Sequence, residues 1–178
     1  MTKITKDYKE TIGLDLDDTI INHDQNRRKI SQKLGLPESD RQVKKTIYTE
    51  ISLNCPAIKG SIETINEWLN NGYKVFIVSR RQEDGQDFGR QWLKKYLPRI
   101  KSGHIFFVNK DEDKSIICSE NKMTVFIDDS LTVLEHISRQ TTKILFDPKK
   151  KFMTKNYSPD IGRVNTWKQI EKIVAKLS

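Results

Sequence analysis

Cysteine is scarce in this sequence. The two residues present, Cys55 and Cys118, lie far apart without C-x-x-C spacing. That argues against a zinc site and against a disulfide framework. Free thiols suit a reducing cytosol. Long apolar runs are also missing. The longest wholly apolar stretches, such as "VFIV", are far too short to span a bilayer, so no membrane partner is expected. The opening "MTKITKDYKETIG" is polar and has no apolar core of the kind a secretory leader carries, and the expected location is cytoplasmic. Internal repeats are absent as well.

What remains is the composition of a soluble globular chain. Of 178 residues, 35% are hydrophobic and 31% charged, which fits one domain with a modest core, with room for an insert. The net charge of +8 suits a partner that carries phosphate: a nucleotide, another metabolite or a nucleic acid. A solvated basic surface would account for it equally well. Oligomeric state is not legible.

Five short apolar runs recur at wide spacing: "IGLDL", "VFIV", "IFFV", "TVFID" and "KILFD". They are β-branched or aromatic and mostly do not alternate, as strands covered on both faces read. Helix-like segments separate them. Ser61 can cap one that ends at Gly72; others run over 84–96, 113–120, 130–139 and 166–177. Strands alternating with helices predict an α/β fold with a doubly wound parallel sheet. Residues 20–59 break the alternation, being too long for an ordinary βα loop. Gly35 and Pro37 read as helix stops, and "SDRQ" at 39–42 has the form of a capping box. We expect an α/β core over 1–19 and 60–178, with 20–59 a small helical cap.

Chemistry concentrates in "GLDLDDTI", where Asp15, Asp17 and Asp18 crowd four positions at the end of an apolar run. Asp128 and Asp129 repeat the oddity after "VFI", Ser79 closes "VFIV", and Lys114 leads into the last of these strands. Sites in parallel sheets form beyond the carboxyl ends of strands. Single aspartates there often only cap helices or start turns. Two independent clusters beside apolar runs are harder to explain that way, because buried carboxylates are costly unless compensated. A divalent cation compensates them, and an all-oxygen ligand set favours Mg²⁺.

These residues resemble a family. "DLDDT" is similar to the DxDxT signature of the haloacid dehalogenase-like (HAD) hydrolases; Ser79, Lys114 and "VFIDDS" are similar to their second, third and fourth motifs, in the family's order. Within that group, "DKSIICSENKMTVFIDDS", "KILFDP" and "RVNTWKQI" resemble the 5′(3′)-deoxyribonucleotidase, cytosolic type C, proteins. The resemblance implies a Rossmann-like core and a Mg²⁺-dependent phosphatase acting through an aspartyl-phosphate, with a nucleoside monophosphate as substrate. Asp15 would be the nucleophile and Asp17 the general acid and base. The Asp15 carboxylate, the Asp17 carbonyl and Asp129 would hold the metal, with Asp128 either behind these ligands or linked to the metal through water. Ser79 and the Arg80 amide would bind phosphate, and Lys114 would neutralise charge. The two-residue spacing of Asp15 and Asp17 would point both side chains the same way on a strand.

Several readings stay open. Lys110 competes with Lys114. Arg81 is either a helper or an exposed residue. His23 reads mainly as a surface or capping residue, and Tyr48 either stacks on a base or packs beside Ile47 and Ile51. Trp68, Trp92 and Trp167 read as packing residues, and "KKK" at 149–151 as a solvated loop or a phosphate-steering patch. Rival functions are a polynucleotide 3′-phosphatase, a catalytically silent binding protein on the same fold, and a response-regulator receiver. The receiver places its lysine last along the chain, whereas Lys114 precedes the second acidic pair.

Overall fold

The computed structural model describes residues 9–177; most of the polar opening segment discussed above lies outside them. Six strands form one parallel sheet: β1 Thr11–Leu14, β2 Lys74–Ser79, β3 Ile105–Phe107, β4 Val125–Asp128, β5 Thr142–Phe146 and β6 Ile161–Val164. Their order is β3-β2-β1-β4-β5-β6, with every pairing parallel. The winding reverses between β1 and β4, where open α/β sheets leave a crevice beyond the strand ends. Both acidic clusters sit at that reversal.

Among the described residues seven α-helices accompany the sheet: α1 Asp24–Leu34, α2 Arg41–Ile47, α3 Ser61–Asn70, α4 Glu83–Tyr96, α5 Asp113–Glu120, α6 Leu131–His136 and α7 Trp167–Val174. One face of the sheet presents Ile12, Leu14, Ile77 and Ile127 to Ile65 and Trp68 of α3, Trp92 of α4 and Trp167 of α7. The opposite face presents Phe76, Val78, Phe126 and Leu145 to Cys118 of α5 and Val133 and Leu134 of α6. Apolar side chains on both faces explain why the strands read as unbroken apolar runs.

The helical insert follows β1, as expected. Its neck is a short backbone pairing: Asn22 N–H donates to Pro56 O, Ile58 N–H donates to Ile20 O, and Ile21 bridges Ala57. Two tryptophans tie that neck to the core. The Trp167 indole donates to Thr19 O at 3.0 Å, and the Trp92 indole donates to Cys55 O at 2.9 Å. The predicted packing residues therefore also anchor both ends of the insert. The third, Trp68, lies 6.0 Å from Trp167 between ring centroids.

Four expectations are corrected in detail. The first strand ends at Leu14, so Asp15 and Asp17 lie in the turn after it. The cap of α2 is Asp40, whose carboxylate accepts from Gln42 N–H, rather than Ser39. Ser61 does not cap α3; its hydroxyl donates to Ile58 O, and Gly60 occupies the cap in a left-handed conformation. The expected helix at 130–139 is shorter, because Ile137 leaves helical geometry. One strand, β6, had no counterpart among the expected runs.

Gly13 sits mid-strand in β1 because nothing larger fits. A Cβ there would lie 2.5 Å from the Phe126 ring and closer still to Met123 Sδ. Overpacking of this kind costs about 1–3 kcal/mol. Gly13→Ala should lower the urea midpoint accordingly, whereas Gly103→Ala, with open space around its Cβ position, should not.

Candidate active site

The turn after β1 sets the site's geometry. Ile20 and Ile21 N–H both donate to Leu16 O, and Asp18 N–H donates to Ile21 O. Asp18 adopts φ = 64°, a left-handed conformation that aspartate tolerates better than most residues. Asp15 is still tied to the sheet through its N–H, which donates to Ile127 O at 2.9 Å. The result is a crevice of about 260 Å³ lined by Asp15, Asp17, Ser79, Lys114, Asp128 and Asp129. The structure thus brings together both acidic clusters, Ser79 and Lys114. Arg80 is there too, its side chain half exposed and paired with Asp111 at 3.1 Å.

Charge inside the crevice is organised around two buried cations. Lys114 Nζ donates to Asp15 Oδ1 at 2.6 Å and to Asp128 Oδ2 at 2.8 Å, joining the ends of β1 and β4. Lys110, its rival, is 70% exposed beside Glu112 and lies outside the crevice. The second cation is Arg81. Its Nε and Nη2 grip Asp17 at 2.8 and 2.5 Å, and a third nitrogen donates to Gly85 O. Gly89, one turn further along α4, leaves room for it: a Cβ there would lie 3.1 Å from the guanidinium. Arg81 is therefore buried, which corrects the exposed alternative, while its neighbour Arg80 points outward.

His23 is a second departure. It is fully buried, with Nε2 2.6 Å from Asp17 Oδ1 and Nδ1 3.4 Å from Cys55 Sγ. Ser79 Oγ adds a hydrogen bond to Asp17 Oδ2 at 3.1 Å. Tyr48 neither stands free nor merely packs on isoleucines. Its ring lies 5.1 Å from the Arg81 guanidinium and 5.4 Å from the His23 ring. In the "KKK" run, Lys149 pairs with Asp24 of α1 across a neighbouring pocket.

The carboxyl groups respond to these surroundings in opposite ways. Burial pushes Asp15 up to about 7, with Asp128 and Asp17 adding to the rise and Lys114 opposing it. Burial also raises Asp17, but the Arg81 guanidinium and the hydrogen bonds from Arg81 and His23 outweigh it and hold Asp17 well below the usual range. Asp129 is pushed well up by burial and by Asp18, Asp15 and Asp128. Burial opposes a charged His23, yet the hydrogen bond to Asp17 leads the opposing effects and lifts the imidazole to about 9.

The donor set fits a divalent cation. Asp15, Asp128 and Asp129 each offer a carboxylate oxygen, all within 4.8 Å of one another. Asp129 has neither a hydrogen bond nor an ion pair among the described residues, and its nearest charged neighbours are mainly other carboxylates. Oxygen-only ligands of this charge suit Mg²⁺. The Asp17 carboxylate, already gripped by Arg81 and His23, is not part of that cluster.

Comparison with known proteins agrees with this geometry. Residues 1–126 match the family described as HAD superfamily, subfamily IIIB (Acid phosphatase). The chain belongs to that family. A curated relative, "Putative nucleotidase OB0422" of Oceanobacillus iheyensis, is 23% identical over 157 residues, covering 75% of this chain and 84% of that protein. The D,D-heptose 1,7-bisphosphate phosphatase of B. bronchiseptica, solved with magnesium and phosphate, superposes with a TM-score of 0.67 at 10% identity over 95% of this chain and 99% of that one. The class C acid phosphatase of Bacillus anthracis, solved with tungstate, gives 0.54 at 21% identity over 70% and 53%. At these identities the two structures show a shared fold. No helix among the described residues is long and apolar enough to cross a membrane.

The His23 environment sets a pH dependence of stability. Its folded value of about 9 lies above the ordinary value of 6.5. The stabilisation is therefore complete below about pH 6.5 and disappears as pH rises through about 9. Its size is on the order of 3 kcal/mol at about 1.4 kcal/mol for each tenfold change. Without added metal, the melting-temperature gap between the native protein and His23→Gln should be widest near pH 6 and close by pH 10. A gap that is independent of pH would mean that folding leaves the His23 proton affinity unshifted, and a gap that narrows as pH falls toward 6 would mean His23 is buried neutral; either outcome overturns the charged pair.

Proposed function

We propose that the chain is a Mg²⁺-dependent phosphatase that hydrolyses a phosphate monoester through an aspartyl-phosphate on Asp15. The observation that carries this reading is the meeting of Asp15, Lys114, Asp128 and Asp129 in one crevice at the sheet's reversal point. Asp15, Asp129 and the Asp17 carbonyl would hold the cation, with Asp128 linked through water. The cation would supply positive charge against the carboxylates and the phosphate oxygens.

The remaining roles follow from position. An Asp15 oxygen attacks phosphorus, forming an acyl-phosphate bond as the ester P–O bond breaks. Lys114, within 2.6 Å of that carboxylate, offsets the negative charge gathered there. Ser79 and the Arg80 amide would hold phosphate oxygens. The leaving oxygen needs a proton, and Asp17 alone is held too strongly ionised to carry one. The Asp17–His23 pair would carry one on the 2.6 Å hydrogen bond between them, since the pairing favours a charged imidazole. Transfer along that bond lets Asp17 act as acid, and the reverse transfer lets it take a proton from the water that then attacks phosphorus. Water attack releases inorganic phosphate and restores Asp15.

The substrate class is the finer part of the proposal. A nucleoside monophosphate, chiefly a deoxypyrimidine, is supported by the nucleotidase names of two curated relatives and by the motif likeness to the deoxyribonucleotidase type C group. The helical segment over 20–59 would act as a small cap, since Tyr48 from it lines the crevice.

Turnover of dTMP, dUMP and other phosphorylated metabolites with Mg²⁺ tests the reading. Chelation should abolish activity and Mg²⁺ restore it. Asp15→Asn should lose at least about 10³-fold, and Lys114→Met about 10²–10³-fold, comparable to the loss of a donor aimed at transition-state charge. Lys110→Met should stay near normal. Activity that survives Asp15→Asn removes the nucleophile and the mechanism with it.

A further inference from the structure

The crevice opens into a second groove of different character. That groove, about 380 Å³, runs beside α2 and shares Lys44, Tyr48 and Arg80 with the crevice. Arg41, Lys44, Lys45 and Arg80 line it, against a single acidic residue, Asp84. Asp84 is matched by Lys45 at 3.3 Å, and Arg80 is matched by Asp111. Arg41 and Lys44 have no acidic partner among the described residues. Two uncompensated cations thus stand beside a pocket dominated by six aspartates, Asp111 included. On the other side of the crevice, the pocket under Phe146 and Phe152 mixes acids and bases and has no such bias.

Cations left unpaired in a concave site adjoining a phosphate site favour an anion there. Tyr48 stands at the junction, its ring steadied by Arg81 and His23. Burial, then the surrounding aspartates, keep its hydroxyl protonated and able to donate. From this groove we infer that the substrate carries a second phosphate group, held by Arg41 and Lys44 while the first is hydrolysed in the crevice. The inference rests on the phosphatase reading and narrows its substrate to bisphosphorylated molecules of nucleotide size. A phosphodiester next to a terminal phosphate has the same chemistry, so an oligonucleotide end is the other source of such a group.

Thymidine 3′,5′-bisphosphate should be turned over with a kcat/KM at least about tenfold above dTMP and thymidine 3′-monophosphate, a ratio within reach of one or two charge-assisted hydrogen bonds. The advantage should lie in KM and shrink as ionic strength rises. Arg41→Gln combined with Lys44→Gln should bring the ratio close to one. A 3′-phosphorylated oligothymidylate in the same assay separates the sources: preference over the bisphosphate assigns the groove to a polynucleotide end, and the reverse assigns it to a small bisphosphate. Equal kcat/KM for mono- and bisphosphates in the native protein, or a ratio unmoved by the double substitution, overturns the inference. If nothing is turned over, the phosphatase reading falls. Calorimetric binding of the bisphosphate and the monophosphate to Asp15→Asn with Mg²⁺ then judges the groove alone, and equal affinities count against it.

Discussion

Lys114 holds this molecule's chemistry in one place. Its ammonium lies within 2.8 Å of carboxylates from the ends of two neighbouring strands, and it is 3% exposed. Desolvating three charged groups together is costly, and mutual attraction offsets the cost only with good geometry. Here the geometry comes from the parallel register of β1 and β4, which sets Leu14 beside Ile127 and so brings Asp15 near Asp128. One cation cannot match all the acids that gather there. Asp129, without a hydrogen-bond or ion-pair partner among the described residues, carries the remaining deficit, and a metal ion is the chemically natural way to meet it.

The second buried cation does different work. Arg81 and His23 both converge on Asp17, so the two aspartates of the motif, two residues apart, have opposite proton affinities. Separating two carboxyl groups in this way is how one site can hold an acid role and a nucleophile role at once. The direction is unexpected, because the group assigned to proton transfer is the one held ionised. The conflict is resolved if Asp17 and His23 are treated as one unit: a carboxylate–imidazolium pair has the same proton count as a carboxylic acid beside a neutral imidazole. His23 comes from just before α1 and Arg81 from just after β2, so insert and core meet on a single carboxylate.

Much of this was legible in the sequence. Apolar runs revealed five of six strands because central parallel strands are covered on both faces. β6 escaped because its middle residues, Gly162 and Arg163, are exposed, whereas the other edge strand, β3, is the apolar run Ile105–Phe107. The motif carboxylates, Ser79 and Lys114 stood out because charge beside an apolar run needs a reason. Arg80 and Arg81 could not be told apart by type. Which of them is buried depends on the direction of the chain as it leaves β2, on the Gly85 carbonyl that accepts from Arg81, and on Gly89 leaving space for the guanidinium. His23 was underestimated because its partner is six residues away through a turn with a left-handed aspartate, a geometry without a period to detect.

The insert's composition follows from the same electrostatics. α1 and α2 bury few side chains of their own, Arg27, Val43 and Ile47. They hold position through the tryptophan-anchored neck and through Arg27, which pairs with Asp18. A small apolar interior frees the outer positions of α2 for basic residues, and three of them line one groove. Around the site, cations face the groove while acids face the crevice, with Tyr48 at the boundary. An anionic molecule spanning the two would meet a cationic surface before the metal-binding one. That ordering favours its capture at the groove and delivery of its phosphate end to Asp15.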